Sequence, residues 1–213
     1  MPDATWPSYR VGNPDYIHAL GVIASIYNLL EFRFRSLFSI YVQPTNFAYK
    51  LFHKTNNHDR QEFIREALDF SSHPEAIKDE VRHFLDAYRI CTDNRNIFMH
   101  STVMFVFGPG DTACPELSPP NEQPQGLAFQ KSPRGDPFQI NTYQVTIEQI
   151  REQADALKAF EMYGDRLFYH ILKNYEPARY ATWRFPDAAR FELPIKPVLP
   201  SRLVPKSPDM ESE

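Results

Sequence analysis

Seven apolar residues near the start of the chain constrain its fold more than any other feature. Leu20, Ile23, Tyr27, Leu30, Phe34, Leu37 and Tyr41 alternate three and four positions apart. A 3.6-residue helix gathers such positions onto one stripe, and no strand does. Pro14 and Asp15 open this helix well. A proline suits the first turn, and an acid meets the positive end of the helix dipole. Pro44 closes it, because the residue before a proline is pushed out of the helical region. The spacing therefore predicts a helix from about Asp15 to Val42. Beside the apolar stripe runs a second one, Gly21, Ala24, Asn28, Glu31 and Arg35, small at one end and polar at the other. Glu31 lies at the border of the two stripes. Its carboxylate either faces the bundle or pairs with Arg35 one turn on.

A second helical stripe carries an anomaly. Ile77, Val81, Phe84 and Tyr88 are spaced four, three and four apart, and the next positions on the stripe are Cys91 and Arg95. An arginine thus stands where the pattern asks for a core residue. Burying an unpaired guanidinium costs several kcal/mol. Arg95 therefore has a carboxylate partner, for which Glu31 is the first candidate, or the stripe opens there into a polar cleft. Asn96 and His100 are four apart and share a face. Arg95 and His100 are five apart, roughly 140° around the axis, so the long arginine must bend around the helix end to meet the ring. Asp93 stands in the same stretch.

The rest of the chain supplies further helices and one change of period. A short helix is predicted over about 46–55, with Phe47, Leu51 and Phe52 on one side, then a polar break at His53, Asn56, Asn57 and His58. The next helix runs from about Asp59 to Phe70, with Phe63, Ala67 and Phe70 inward. Pro74 starts the helix that ends at His100. Thr102 to Phe107 is β-branched and aromatic, a strand by composition. Pro109, Pro115, Pro119, Pro120 and Pro124 mark an exposed loop. Residues 127–130 and 138–140 read as further short strands around a turn at 133–136. Thr146 to Gln149 is a capping box. It opens a helix through about Asn174, with Ile150, Ala154, Leu157, Leu167, Phe168 and Ile171 inward and His170 at the edge. The predicted class is mainly α, a bundle of four to five helices with a small β-hairpin or three-stranded insert before the last long helix. An irregular arm (1–13) precedes the helical domain (14–175, insert about 102–145). A proline-rich tail (176–213) follows it. The tail holds Arg179, Arg184, Arg190, Lys196, Arg202 and Lys206 among Tyr180, Trp183, Phe185 and Phe191. Such a segment either straps over the domain or a partner copy, or binds nucleic acid by charge and stacking.

Net charge is −4, so any nucleic-acid contact must come from a local patch. Cys91 and Cys114 lack metal-type or CxxC spacing, which points to a reducing compartment and no disulfide framework. No run of 18 apolar residues is present, so no membrane span is expected, and the start carries no signal-peptide pattern. These features predict a cytoplasmic protein.

The chemistry open to Arg95, Asn96 and His100 is narrow. No serine or cysteine is set against a base, and no acid cluster suits Mg²⁺. A histidine that titrates near neutrality and a fixed positive charge remain. RNA brings its own nucleophile, the 2′-hydroxyl beside the scissile phosphate. A histidine can take that proton or donate one to the leaving oxygen, worth roughly 10²–10⁴ in rate. The arginine can stabilise charge on the phosphorane, while Asn96 orients the ring or holds a phosphate. No metal or other cofactor is required.

The stretch Arg95-Asn96-x-x-x-His100 resembles the signature of the HEPN superfamily, an Arg, a polar residue, then a His four to six residues after the Arg. The run Ala19 to Glu31 also resembles the first helix of bacterial proteins with an RN-xxx-H helix after it. The likeness spans residues 14–175 in layout. It implies a helical bundle that forms a homodimer, with the Arg and His in a cleft where two motif helices meet. Arg95 of one copy would then work with His100 of the other. Many members are metal-independent ribonucleases in toxin–antitoxin, phage-defence or RNA-processing systems; others only bind. The resemblance thus implies catalytic Arg95, Asn96 and His100, RNA as partner and a cognate antitoxin. Glu31, Asn28 and Asp93 are the supporting candidates. The alternative is a non-catalytic interaction or RNA-binding module, with Arg95 anchored by Glu31 and His100 capping the helix's negative end.

Overall fold

The computed structural model describes residues 14–108, 111–113, 125–133, 139–181 and 192–206. The expected arm at 1–13, the loop between the strands, Cys114 and the aromatic part of the tail at 183–191 lie largely or wholly outside these residues. Among them the chain forms six helices and one sheet: α1 (Pro14–Tyr41), α2 (Thr45–Lys54), α3 (Asn57–Phe70), α4 (Glu75–His100), β1 (Thr102–Gly108), β2 (Asp111–Ala113), β3 (Gly126–Lys131), β4 (Asn141–Val145), α5 (Ile147–Tyr175) and the single turn α6 (Pro177–Tyr180). The chain is mainly helical, with a small antiparallel sheet before the last long helix. No described helix is long and apolar enough to cross a membrane.

These elements contribute to two compact units. One comprises 25–92 and 155–201, the other 1–24, 93–154 and 202–213. In the first, the α1 stripe is core: Tyr27, Leu30, Phe34 and Leu37 are buried. The Phe34 ring stacks on Tyr88 with centroids 4.1 Å apart. The Tyr27 hydroxyl lies 3.0 Å from that of Thr92, so the buried polar tips satisfy one another. Ile77, Val81, Phe84, Tyr88 and Cys91 are buried on α4, as their spacing predicts. Arg33 bridges Glu161 and Asp165, each at 3.0 Å.

The helix faces at α2 and α3 differ from expectation. Ala48 and Phe52 are buried on α2, while Phe47 is half exposed. On α3 the buried residues are Gln61, Ile64 and Leu68, not Phe63 and Phe70, and Phe70 is 92% exposed. Both sets satisfy helical spacing. The aliphatic set packs inward, and Phe63 only touches the ring of Phe38 edge-on at 6.5 Å. Asn57 and His58 belong to α3, whose N-cap is Asn56, accepting from the Asp59 N–H.

The second unit holds the sheet, in the order β2-β1-β3-β4, antiparallel throughout. β3 is central, and its residues 126–129 are buried. The last strand is Asn141–Val145, three residues beyond the expected one, because Thr142, Tyr143 and Val145 pair with β3. Phe98, near the end of α4, meets Phe129 of β3 edge-on at 5.2 Å. This contact fixes the end of α4 against the sheet. The capping box forms as its sequence dictates. The Thr146 N–H donates to Gln149 Oε1, and the Gln149 N–H to Thr146 Oγ1.

Candidate active site

The last turn of α4 carries the candidate residues. Below it, Cys91 is buried, and burial pushes its thiol up to about 12, so it is no nucleophile at neutral pH. One turn on, Arg95 is only half-buried. Its guanidinium curls around the helix end and closes the angular gap to the histidine. Nη1 donates to Asn96 Oδ1 at 3.2 Å and to His100 Nε2 at 3.0 Å. A guanidinium has only donors, so Nε2 accepts and the ring proton sits on Nδ1. Arg95, Asn96 and His100 thus meet within one copy of the chain.

Asn96 and His100, one helical turn apart, open onto a groove of about 760 Å³. That is within the range of roughly 300–1,000 Å³ of small-molecule sites. Lys131 at the end of β3, Asn141 and Tyr143 on β4, and Arg202 from the tail line it too. The Lys131 ammonium donates to the Asn96 carbonyl at 3.2 Å, a cation at the negative end of α4. Asp93 is the one acid on the groove among the described residues, and Arg202 lies 3.6 Å from its carboxylate. Among the described residues, Arg95, Lys131 and Arg202 gather near this end of α4 with Asp93, in a chain of net charge −4.

Asn94, next to the motif arginine, faces inward and is 3% exposed. Its Nδ2 donates to Gln153 Oε1 at 2.7 Å, and its Oδ1 accepts the Leu203 N–H at 3.0 Å. The Lys206 N–H donates to the Thr142 carbonyl at 2.8 Å. The tail at 202–206 is thereby strapped along the groove.

Glu31 and Asn28 lie on a different groove, of about 280 Å³, with Phe32, Arg35, Phe52, His53 and Arg60. The ion-pair partner of Glu31 is Arg60, at 3.6 Å, rather than Arg95 or Arg35. The Arg60 guanidinium sits 3.9 Å from the centre of the Phe52 ring, and Arg35 lies over Phe32 and Tyr49. Glu31 is half-exposed at the α1 surface, where a cation from α3 reaches it.

Sequence reasoning did not single out Lys131, Asn141, Tyr143 or Asn94. Arg202 carried one signal, its place among the basic residues of the tail. No family model, curated protein or solved structure matches the chain.

Proposed function

We propose that this chain is a metal-independent endoribonuclease of HEPN type, with Arg95 and His100 as its catalytic pair. The reading rests on one observation: the Arg95 Nη1–His100 Nε2 contact of 3.0 Å at the rim of a polar, cation-lined groove. In the reaction, the guanidinium leaves Nε2 for a non-bridging phosphoryl oxygen. The freed Nε2 takes the 2′-hydroxyl proton as the 2′-oxygen bonds to phosphorus. The bond from phosphorus to the 5′-oxygen breaks, and that oxygen takes a proton from the imidazolium. The products are a 2′,3′-cyclic phosphate and a 5′-hydroxyl. Asn96 shares the guanidinium with His100 and holds it ready between the two positions. DNA resists, because it has no 2′-hydroxyl. Two copies of the chain, each with its own pair, would form the shared cleft of a homodimer. A toxin–antitoxin or phage-defence setting, with a cognate antitoxin, follows from the resemblance.

A mixed RNA pool incubated with the purified protein in EDTA tests this. Cleavage with cyclic-phosphate ends is expected, abolished in His100→Ala and in Arg95→Ala. A second reading, RNA binding without cleavage, is favoured by the same hydrogen bond, which occupies Nε2. Binding without cleavage in any RNA of the pool selects it over the nuclease.

A further inference from the structure

The tail reaches the groove by a specific route, which the nuclease reading does not use. Residues 202–206 have no regular secondary structure, yet two of their backbone N–H groups are spent on fixed partners. Leu203 donates to the buried Asn94, and Lys206 to Thr142 on β4, an edge strand. Asn94 is held from its other side by Gln153 of α5. A buried amide that uses both its donor and its acceptor has one orientation, since turning it over would set donor against donor. Asn94 is therefore a lock, and it adjoins Arg95 in sequence. Next to Leu203 in the chain, and on the same groove as Asn94, is Arg202. Its side chain is half-exposed, 3.6 Å from an equally exposed Asp93. An exposed pair of this kind contributes little to stability, so holding the chain in place is not what this arginine is suited for. The groove has a second cation, Lys131, from the end of β3, and an aromatic ring, Tyr143.

We infer that the strap is a substrate-binding element. Locked by Asn94, it presents Arg202 beside Lys131, so that the two cations hold phosphates of a single-stranded RNA while Tyr143 receives a base. This rests on the nuclease reading for its choice of ligand, but it concerns binding and not the bond-breaking step. Charge and stacking together are what single-strand binding requires. A duplex would present its bases stacked inside and offer Tyr143 nothing.

The test measures affinity on the His100→Ala chain, so that no cleavage intervenes. The probe is a short fluorescent oligouridylate, titrated by anisotropy over a series of salt concentrations. Each phosphate contact contributes about 0.7 to the slope of log K against log salt for a single strand. Arg202→Ala and Lys131→Ala are each expected to lower the slope by about that amount, and together by about twice that. Asn94→Leu, which removes the lock, should reproduce the effect of Arg202→Ala. Adding Arg202→Ala to it should then cost nothing more, because both act through one strap. Circular dichroism reports whether Asn94→Leu keeps its helices. If it does not, a chain ending at Ser201 replaces it, with the same expected slope. Unchanged slope in Arg202→Ala and in the truncated chain overturns the inference, as does tighter binding after truncation, which would make the strap a cover. The two readings fail separately. Wild-type cleavage with strap variants that bind and cleave as before removes the strap role alone. Strap-dependent binding without any wild-type cleavage removes the nuclease alone. No binding of the oligonucleotide overturns the strap role, whatever the cleavage assay reports.

Discussion

Replacing Arg95 by methionine separates a catalytic arginine from a structural one, because the two roles predict different losses of stability. An anchoring arginine whose removal leaves a buried carboxylate unpaired costs about 3–5 kcal/mol. Two of the Arg95 contacts go to Asn96, half-buried, and His100, exposed, and water can replace what these two lose. A hydrogen bond from a charged donor contributes about 1.5–3 kcal/mol when shielded, and less where water competes, as at the exposed His100. Methionine retains much of the apolar stem. The expected loss is about 1–2 kcal/mol, a fall in Tm of roughly 2–8 °C for a chain this long. Arg33 provides the internal contrast. Its partners are Glu161, 4% exposed, and Asp165, mostly shielded. Glu161 keeps Lys158 at 2.8 Å, so Arg33→Met should fall near the lower end, about 3 kcal/mol. Urea unfolding followed by far-ultraviolet circular dichroism gives both numbers under one condition. The same Arg95→Met preparation should cleave RNA about 10²–10³-fold more slowly, the usual loss on removing a group that stabilises developing negative charge. If Arg95→Met destabilises as much as Arg33→Met, the arginine is an anchor, and its drop in cleavage would reflect unfolding.

Two other perturbations follow from packing and charge. A Cβ at Gly164 would stand 2.5 Å from Cε2 of the fully buried Phe84 ring. Overpacking of this kind costs about 1–3 kcal/mol, more than the roughly 0.5–1 kcal/mol that alanine gains over glycine in a helix. Gly164→Ala should therefore lower the urea midpoint, while Gly21→Ala, with no atom within 4 Å of the new carbon, should raise it. Burial alone would raise the pKa of Glu161, but hydrogen bonds and charge from Lys158 and Arg33 outweigh it and hold the carboxyl below its ordinary 4.5. The stability this contributes is complete above the unfolded value and is lost as pH falls through the lowered folded one. Lys158→Met should shrink that acid-side loss in a series of urea midpoints against pH.

The helices were legible from the spacing of their apolar residues, though not every buried position was. On α1 the three-and-four stripe sends Ile23, Tyr27, Leu30, Phe34 and Leu37 into the core, but Leu20 and Tyr41 at its ends are only partly shielded, and Phe38 and Ile40, off the stripe, are buried as well. On α3, Phe63 and Phe70 compete with Ile64 and Leu68 at equally good spacing. The partner surfaces decide, and the sequence of α3 does not contain them. The aromatic at the last position, Phe70, has no following turn to cover it and is 92% exposed. The β4 strand shows the same limit at period two. Phe138 to Ile140 has strand composition, yet Asn141–Val145 finds the register with β3.

The candidate site divides along a similar line. Arg95, Asn96 and His100 fall within two turns of one helix, so their meeting needed only helical geometry and a long side chain. Lys131 and Arg202 come from a strand and from the tail, and nothing local links either to position 100. This also accounts for the misleading net charge. A total of −4 sums over the whole chain, whereas a phosphate feels charges within about a Debye length, roughly 8–10 Å in physiological salt. At the end of α4, three cations stand against one acid among the described residues. The acids that outnumber them elsewhere are on other helix faces, as in the cluster of Glu75, Asp79 and Asp69 around Arg82. A negative chain can therefore gather cations locally, and Lys131 and Arg202 are seen together only after β3 and the strap have been brought beside the motif helix.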